Sequence, residues 1–368
     1  MLSDHDRQNK HMKQKYNPDV LNPSPGHTVT MKHVAKEAGV SLGTVSRVVN
    51  KHPSVKPHLR EQVERAIAKT GWQPNAVAQS MRTSSTKVIG CVLPDTSNPL
   101  FGSIAKGAEA MVRKNGYAFL LANSSYDTEH EIELLTFMFQ RRVDGLLFAP
   151  SDETNPRMIQ AIESARMPTV LMEREFPASC DHVVSNQADG VRQAAEHLIS
   201  LGHRRIALIT LQPNILPGRE RRRGFEEALT SAGIPIDPIL LRPDNLSAGY
   251  AYQQMQELMS LEDPPTAIIM GGNMMLAGAI RALNLTNKRV PEDVSIIAVG
   301  DTDLAELGSP PITTVRWDLE GLGAEAASIL LERIKAKSDP KTAGVKHIVR
   351  PTEIVLRKSC APAKIKSS

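Results

Sequence analysis

The sequence lacks long apolar runs and cysteine pairs, and each shortage argues against a class of protein. No apolar run reaches the roughly 18 residues of a membrane span, and residues 1–30 lack the apolar block of an export signal. We therefore expect a cytoplasmic chain without a membrane partner. The cysteines are Cys91, Cys180 and Cys360, which are too few and too widely spaced for a disulfide or metal framework.

The motifs of common catalytic sites are also missing. The sequence has no Ser/His/Asp grouping, no paired-His metal motif and no GxxxxGK[ST] phosphate loop, and the glycines at 271 and 272 lack dinucleotide-binding spacing. We therefore expect no enzyme activity, no cofactor and no metal site. At 368 residues and 41% hydrophobic content, the chain is long enough for more than one buried core.

Positive charge is concentrated near the N-terminus. Residues 28–87 hold ten Lys/Arg against three acids, and residues 1–27 hold four against three. The remainder holds 30 basic and 34 acidic residues, a net charge of −4. Such a concentration is typical of a surface that contacts phosphates, because a uniformly solvated surface would spread its charge.

Residues 30–50, TMKHVAKEAGVSLGTVSRVVN, predict two short helices joined by a tight turn. Thr30 and Ser41 are suited to cap the helix starts, and Gly39 is suited to the turn. The apolar positions recur at helical spacing on one face of each helix. They are Val34, Ala35, Ala38, Val45, Val48 and Val49. This arrangement predicts a helix-turn-helix, whose second helix would lie in a DNA major groove.

Arg47 is the main candidate for reading a base on that second helix. Its planar guanidinium matches the paired acceptors of a guanine, and Leu42 could touch a thymine methyl group. Gly43 has no side chain with which to read a base. An ordinary pair of surface helices with a solvated Arg47 is the alternative.

The string TVSRVVN closely resembles the LacI/GalR family of bacterial transcription regulators, and the resemblance continues from about Thr30 to Lys358. It implies a homodimer that binds a near-palindromic DNA operator under the control of a small-molecule effector. The implied DNA contacts are Thr30, Ser41, Leu42, Gly43, Thr44, Ser46, Arg47, Asn50, Asn75, Ala78 and Met81. Since Leu42 and Gly43 occupy specificity positions of the family, no relative's operator can be assumed.

Residues 75–86 are expected to form a hinge. Asn75 could cap a helix to about Arg82, but eight residues fall short of the about 12–15 that an isolated helix needs in water. The family resemblance implies that this helix forms on DNA and that Met81 wedges into the minor groove, with Ala78 allowing close approach. A flexible linker is the alternative.

The remaining chain predicts an α/β domain at 87–358. Short apolar runs alternate with amphipathic segments, which indicates parallel sheets covered by helices on both faces. The runs cover 88–94, 118–123, 145–150, 169–173, 182–186, 205–210, 266–272 and 295–300. The family resemblance implies a periplasmic-binding-protein-like fold with two doubly wound subdomains. We place them at about 87–187 with 317–342, and at about 188–314 with 346–358.

The chain ends are predicted from composition. Residues 1–27 are polar and are expected to be a disordered extension before an all-α domain at 28–74, whose third helix covers 57–70. The tail at 359–368 has no leucine heptads, so we expect a dimer rather than a coiled-coil tetramer.

The resemblance also implies effector contacts at strand ends and in adjoining segments. They are Phe101, Glu173, Arg221, Asn273, Asp301 and Trp317. Gly272 and Gly300 stand where the family usually has polar ligand anchors, and Asp301 is expected to replace the second one. Fewer carboxylates around an arginine favour an anionic effector such as a sugar acid or phosphate, and a neutral sugar is the alternative.

The sequence thus predicts an effector-controlled DNA-binding regulator, most consistent with a repressor. A solute-binding protein and an α/β enzyme of similar fold are the alternatives. The missing export signal and residues 30–83 argue against the first, and the missing catalytic grouping argues against the second.

Overall fold

The computed structural model describes residues 29–73, 85–165, 167–175, 180–244, 247–336 and 344–364. The chain divides into two compact units, residues 1–84 and 85–368. The predicted N-terminal extension and the hinge positions Asn75, Ala78 and Met81 lie outside the described residues. No helix in the described ranges is long and apolar enough to cross a membrane.

The helical unit contains α1 (Met31–Ala38), α2 (Leu42–Val49) and α3 (Pro57–Thr70). Gly39 ends α1 in the left-handed conformation at φ 62°, where glycine is favoured, and allows the chain to turn sharply into α2. Ser41 caps α2, since its side chain accepts a hydrogen bond from the Thr44 amide at 3.1 Å. The predicted valines and alanines form the core, which Trp72 closes after α3.

The strands of the α/β unit are β1 (Val88–Leu93), β2 (Ala118–Asn123), β3 (Gly145–Phe148), β4 (Thr169–Met172), β5 (Asp181–Ser185), β6 (Ile206–Leu211), β7 (Leu241–Asp244), β8 (Ala267–Met270), β9 (Ser295–Val299), β10 (Thr313–Arg316), β11 (His347–Arg350) and β12 (Glu353–Val355). Among the described residues they form two six-stranded sheets with the orders β11-β5-β4-β3-β1-β2 and β12-β10-β9-β8-β6-β7. The strand pairs are parallel except β10 with β12.

Helices cover both faces of each sheet, as expected for doubly wound parallel sheets. They are α4 (Pro99–Lys114), α5 (Thr128–Gln140), α6 (Pro156–Ser164), α7 (Gln187–Ser200), α8 (Leu216–Ser231), α9 (Ala248–Met259), α10 (Asn273–Leu285), α11 (Asp303–Leu307) and α12 (Leu319–Ala336). On the first sheet, α4 and α12 bury one face, and α5 and α6 bury the other. On the second sheet, α9 and α10 lie opposite α7 and α8.

Glycines allow two of these helix pairs to approach closely. A Cβ atom added to Gly107 in α4 would lie 1.9 Å from the carbonyl oxygen of Glu320 in α12. A Cβ atom added to Gly224 in α8 would lie 2.0 Å from the carbonyl oxygen of Ala188 in α7. Only glycine fits at these positions without separating the helices.

The chain passes between the two subdomains three times: between β5 and α7, between β10 and α12, and between β11 and β12. The last passage corrects a predicted boundary. Residues 346–358 were expected in the second subdomain, but β11 pairs with β5 in the first sheet and only β12 joins the second. The reason is that an extended segment can pair with either sheet, and its few side chains do not specify which.

The described residues of the predicted tail, 359–364, pack against the second sheet. Ser359 is fully buried, and its hydroxyl donates to the carbonyl oxygen of Ile296 in β9 at 2.6 Å. Residues 359–364 therefore belong to the second subdomain. At the other end of the sequence of this unit, Asp144 accepts hydrogen bonds from Ser85 and Thr86. These bonds hold the first residues of the α/β unit beside β1.

Candidate functional sites

The outer face of α2 carries the predicted base-reading residues. Leu42 is 45% exposed, and Arg47 and Asn50 are exposed. The capping side chain of Ser41 and the hydroxyl of Thr44 lie 2.9 Å apart at the start of this face. The buried Val45 and Val48 hold the opposite face against α1 and α3. An exposed polar face on a helix with a fixed inner face is what major-groove reading requires.

Arg47 folds back along α2 in this structure. Its Nε donates to the carbonyl oxygen of Gly43 at 3.3 Å, and its guanidinium passes over the site where Gly43 lacks a side chain. Asn50 donates to the carbonyl oxygen of Ser46 at 2.8 Å. These exposed bonds are weak enough to be exchanged for bonds to DNA.

The helical unit presents most of its positive charge to solvent. Within residues 29–73, the ion pair between Lys69 and Glu37 is exposed. The other lysines of this range are exposed and form no ion pair within it, namely Lys32, Lys36, Lys51 and Lys56. Charges that remain free of internal partners are available to phosphate groups.

A cavity lies between the carboxyl ends of the two sheets, as expected for ligand sites of parallel sheets. It encloses about 530 Å³, including the open space at its mouth. Five of the six predicted effector residues line it, namely Phe101, Glu173, Arg221, Asn273 and Trp317. Both subdomains and the passage before α12 therefore contribute to one site.

Arg221 projects from α8 and is only 4% exposed. Its Nε donates to the Gln187 side chain at 2.9 Å, and its Nη1 donates to the carbonyl oxygen of Gly271. Burial lowers the pKa of Arg221 to about 10, so the group is still a cation at neutral pH. Its Nη2 has no hydrogen-bond partner among the described residues, which leaves a charged donor for a ligand.

Glu173 follows β4 in the left-handed conformation, at φ 54°, which is unusual for a residue with a side chain. Its carboxylate accepts from the Ser185 hydroxyl at 2.6 Å, and burial raises its pKa. The next residue, Arg174, is 2% exposed and donates to the carbonyl oxygens of Pro150 and Glu173. Two arginines and one carboxylate thus line the cavity.

Two buried polar atoms of the cavity wall have no hydrogen-bond partner in the described part of the chain. They are Oδ1 of Asn273 and Nε1 of Trp317. The Asn273 amide nitrogen donates to the side chain of Asn98 at 3.0 Å, which fixes the direction of that free oxygen. Leaving such groups unsatisfied costs about 1–3 kcal/mol each, so a ligand that pairs with them recovers stability.

Asp301 does not reach the cavity, contrary to expectation. Both of its carboxylate oxygens accept from Arg357, at 2.8 and 2.9 Å, and this pair holds the chain after β12. The space beside Gly300 is occupied instead by Leu100, whose Cδ1 lies 3.3 Å from the site of an added Cβ. An apolar side chain therefore faces the cavity where the family's carboxylate was expected.

Sequence reasoning missed several cavity residues, including Leu100, Tyr126, Arg174 and Gln187. Arg174 stands beside the predicted Glu173, and Gln187 follows β5, so their positions after strands were a usable signal. Tyr126 carried the same signal, since it lies in the turn that follows β2.

Two family models match this chain. The model for bacterial regulatory proteins of the lacI family matches residues 30–75, and the model for a periplasmic binding protein-like domain matches residues 195–360.

Similar proteins cover nearly the whole chain. The HTH-type transcriptional regulator DegA of Bacillus subtilis is 33% identical over 336 residues, covering 90% of this chain and 98% of DegA. The HTH-type transcriptional repressor PurR of Haemophilus influenzae is 35% identical over 333 residues, with the same coverage.

Solved structures agree with these relatives. The lac repressor dimer bound to operator and the anti-inducer ONPF has a TM-score of 0.80 at 28% identity, covering 91% of this chain and all of that chain. The CelR–cellobiose complex has a TM-score of 0.69 at 31% identity, covering 90% and 99%. With its helix-turn-helix, its two parallel-sheet subdomains and these relatives, this chain belongs to the LacI family of bacterial regulatory proteins, as a DNA-binding transcriptional repressor with an effector-binding domain.

Proposed function

We propose that this repressor acts in the cytoplasm as a homodimer, reads a near-palindromic operator with α2, and responds to a small anionic carbohydrate such as a sugar acid or sugar phosphate. The observation that carries the effector assignment is the buried Arg221, which keeps one donor free in a cavity whose second cation is Arg174. A charged donor in a desolvated site binds an anionic group more strongly than a hydroxyl.

The remaining cavity wall supports a carbohydrate-sized ligand. Phe101 and Trp317 offer apolar surface, while the free Asn273 oxygen and the free Trp317 indole N–H suit hydroxyl groups. Solved relatives hold sugars, namely cellobiose in the CelR complex and ribose in a LacI family regulator from Enterococcus faecium. Glycine at 272 and 300 replaces two polar ligand anchors of the family, one of them a carboxylate, and this loss favours the anionic members of that class.

Exposed apolar side chains support the homodimer. Leu120 and Leu121 on edge strand β2 are 37% and 42% exposed, and Leu285 and Leu307 in the second subdomain are 63% and 81% exposed. The whole of β2 is exposed or partly exposed, and an apolar edge strand left open in this way suits pairing with another protein chain. The similar lac repressor structure is a dimer bound to its operator.

For DNA reading, we propose direct base contacts from Leu42, Arg47 and Asn50 and phosphate or capping contacts from Thr30, Ser41, Thr44 and Ser46. Selection of duplexes from a random library should enrich near-palindromes, and affinity for the enriched site should fall steeply with salt. A failure to enrich any sequence would refute sequence-specific reading.

The effector class is tested by thermal unfolding with matched ligand pairs. We would compare glucuronate with glucose, galacturonate with galactose, and glucose 6-phosphate with glucose, and add purines as a further class. A ligand at a hundred times its dissociation constant should add about 2.7 kcal/mol of stability. We expect the acid or phosphate of a pair to raise the melting temperature and its neutral partner to have little effect.

A matched pair of variants connects the result to the cavity. Arg221→Ala should abolish the shift, measured against the variant's own ligand-free melting temperature. Arg222→Ala, an exposed neighbour on α8 that pairs with Glu226, should keep it. A shift by neutral sugars alone would overturn the anionic class, and a shift that survives Arg221→Ala would overturn the anchoring role.

A further inference from the structure

A cluster of two histidines and one glutamate lies at the β11 edge of the first sheet, apart from the cavity. His182 in β5 and His347 in β11 are direct partners in the parallel pairing, and their rings lie 4.2 Å apart at an angle of 43°. Glu175 follows β4. Ligand atoms of the three side chains all lie within 4.8 Å of one another.

His182 in this cluster has an acceptor atom without a partner in the described structure. The residue is only 6% exposed, and its Nδ1 lies 3.1 Å from the carbonyl oxygen of Cys180, which fixes Nδ1 as the protonated nitrogen. Its Nε2 therefore carries a lone pair, and among the described residues it has no hydrogen-bond partner. A buried acceptor left in this state is uncommon because it loses its bond to water without replacement.

From this geometry we propose that Glu175, His182 and His347 bind a divalent transition-metal ion, with zinc as the best match. Two imidazole nitrogens and one carboxylate form a ligand set that zinc prefers, while calcium and magnesium prefer oxygen alone. Three protein ligands leave a fourth position for water.

The distances fit such an ion after a small adjustment. Zinc lies about 2.0–2.2 Å from nitrogen and oxygen ligands, so two ligand atoms that share it are at most about 4.4 Å apart. His347 is exposed and Glu175 is half-buried, so both side chains can rotate toward the fixed His182. The hydrogen bond from Nδ1 of His182 to the Cys180 carbonyl oxygen fixes the ring, as such bonds from metal-bound histidines do in metal sites.

A bound ion would connect two parts of the α/β unit. Glu175 lies two residues after the cavity residue Glu173, and β11 leads directly into the passage to β12. The ion would thus restrain both a cavity wall and a passage between the subdomains. An influence of the ion on effector affinity rests on the proposed function, but metal binding itself does not.

The test is titration of the full chain, freed of metal with a chelator, with Zn²⁺ alone by calorimetry and with Co²⁺ alone by visible absorption. We expect calorimetry to show one zinc ion bound to Glu175, His182 and His347. With Co²⁺ we expect the visible absorption of cobalt that is coordinated by nitrogen and oxygen atoms. His347→Ala and Glu175→Gln should each weaken binding by at least about tenfold, since even outer-shell changes cost about 10–100-fold. His58→Ala, an exposed histidine of the helical unit, is the matched control and should leave this site intact.

Circular dichroism of each metal-free variant shows whether it folds, and His347 is exposed, so its replacement should not disturb the core. The proposal is overturned if the wild-type chain binds no ion, or if it binds one that His347→Ala and Glu175→Gln both retain. The second result would place the ion on other histidines of the chain. Neither result depends on the identity of the effector, so the metal site and the proposed function fail independently.

Discussion

Replacing Asp181 by alanine should strongly destabilise the α/β unit. Asp181 is fully buried, and its two oxygens accept from Nε and Nη2 of Arg333 at 2.7 and 2.8 Å. One of these oxygens also accepts from the amide of Lys346 at 2.7 Å. Loss of the carboxylate removes both of these hydrogen bonds and the negative charge of Asp181 from the Arg333 guanidinium, which is only 6% exposed.

The expected magnitude follows from desolvation. Breaking a buried ion pair by removing one partner costs about 3–5 kcal/mol, because the remaining charge stays out of water. At about 2 °C per kcal/mol, appropriate to a large domain, Asp181→Ala should lower the melting temperature by about 6–10 °C. The double change Asp181→Leu with Arg333→Met removes both charges and should recover most of that loss.

Differential scanning calorimetry is the appropriate assay because the two units can unfold in separate transitions. The transition of the α/β unit should move, and that of the helical unit should not. The reasoning is refuted if Asp181→Ala costs less than about 1 kcal/mol, or if the double variant is as unstable as the single one.

Three further predictions concern other parts of the chain. Arg47→Ala should cost about 1–3 kcal/mol of operator binding and relax discrimination at one base pair, measured with singly substituted duplexes; equal loss on every duplex would indicate a phosphate contact. Gly107→Ala should lower the free energy of unfolding, measured by calorimetry, by about 1–3 kcal/mol or more, because the added Cβ would clash with the Glu320 carbonyl oxygen. The control is Gly102→Ala on the same helix, whose added Cβ contacts nothing, so this change should be neutral or mildly stabilising. Burial lowers the pKa of His203, so below about pH 6.5 the unfolded chain binds a proton more readily than the folded chain. The free energy of unfolding should therefore fall as the pH decreases below about 6.5, and it should fall less steeply in His203→Asn. Identical slopes in the two proteins would contradict this assignment.

Periodicity predicted most of the architecture. Each of the eight apolar runs is a strand in the structure, with bounds within two residues of the prediction. Seven of these strands are buried between helices, so their sequences are mostly apolar, whereas β2 is an exposed edge strand with an apolar sequence. Strand β7 was not predicted, because it is a partly exposed edge strand that contains Pro243. A strand at the edge of a sheet does not require a continuous apolar sequence.

Cavity residues that directly follow strands were predictable from the sequence. Residues whose side-chain direction depends on partners far away in the sequence were less predictable. Glu173 and Asn273 come directly after β4 and near β8, which brings them to the same edge as Arg221. Asp301 also follows a strand, but Arg357, 56 residues away, draws its carboxylate aside. The histidine and glutamate cluster is likewise hidden in the sequence, since the pairing of β5 with β11 alone brings residues 182 and 347 together.

If one subdomain rotates against the other, the three passages between them form the hinge of that rotation. Gln187 and Trp317 lie beside two of the passages, so cavity atoms near them would move little. Points far from the passages move in proportion to their distance. The amino end of β1, where Asp144 clamps the entering chain, is at the opposite end of its sheet from the cavity. A ligand that slightly changes the angle between the subdomains would thus cause a larger displacement at residue 85, where the α/β unit begins.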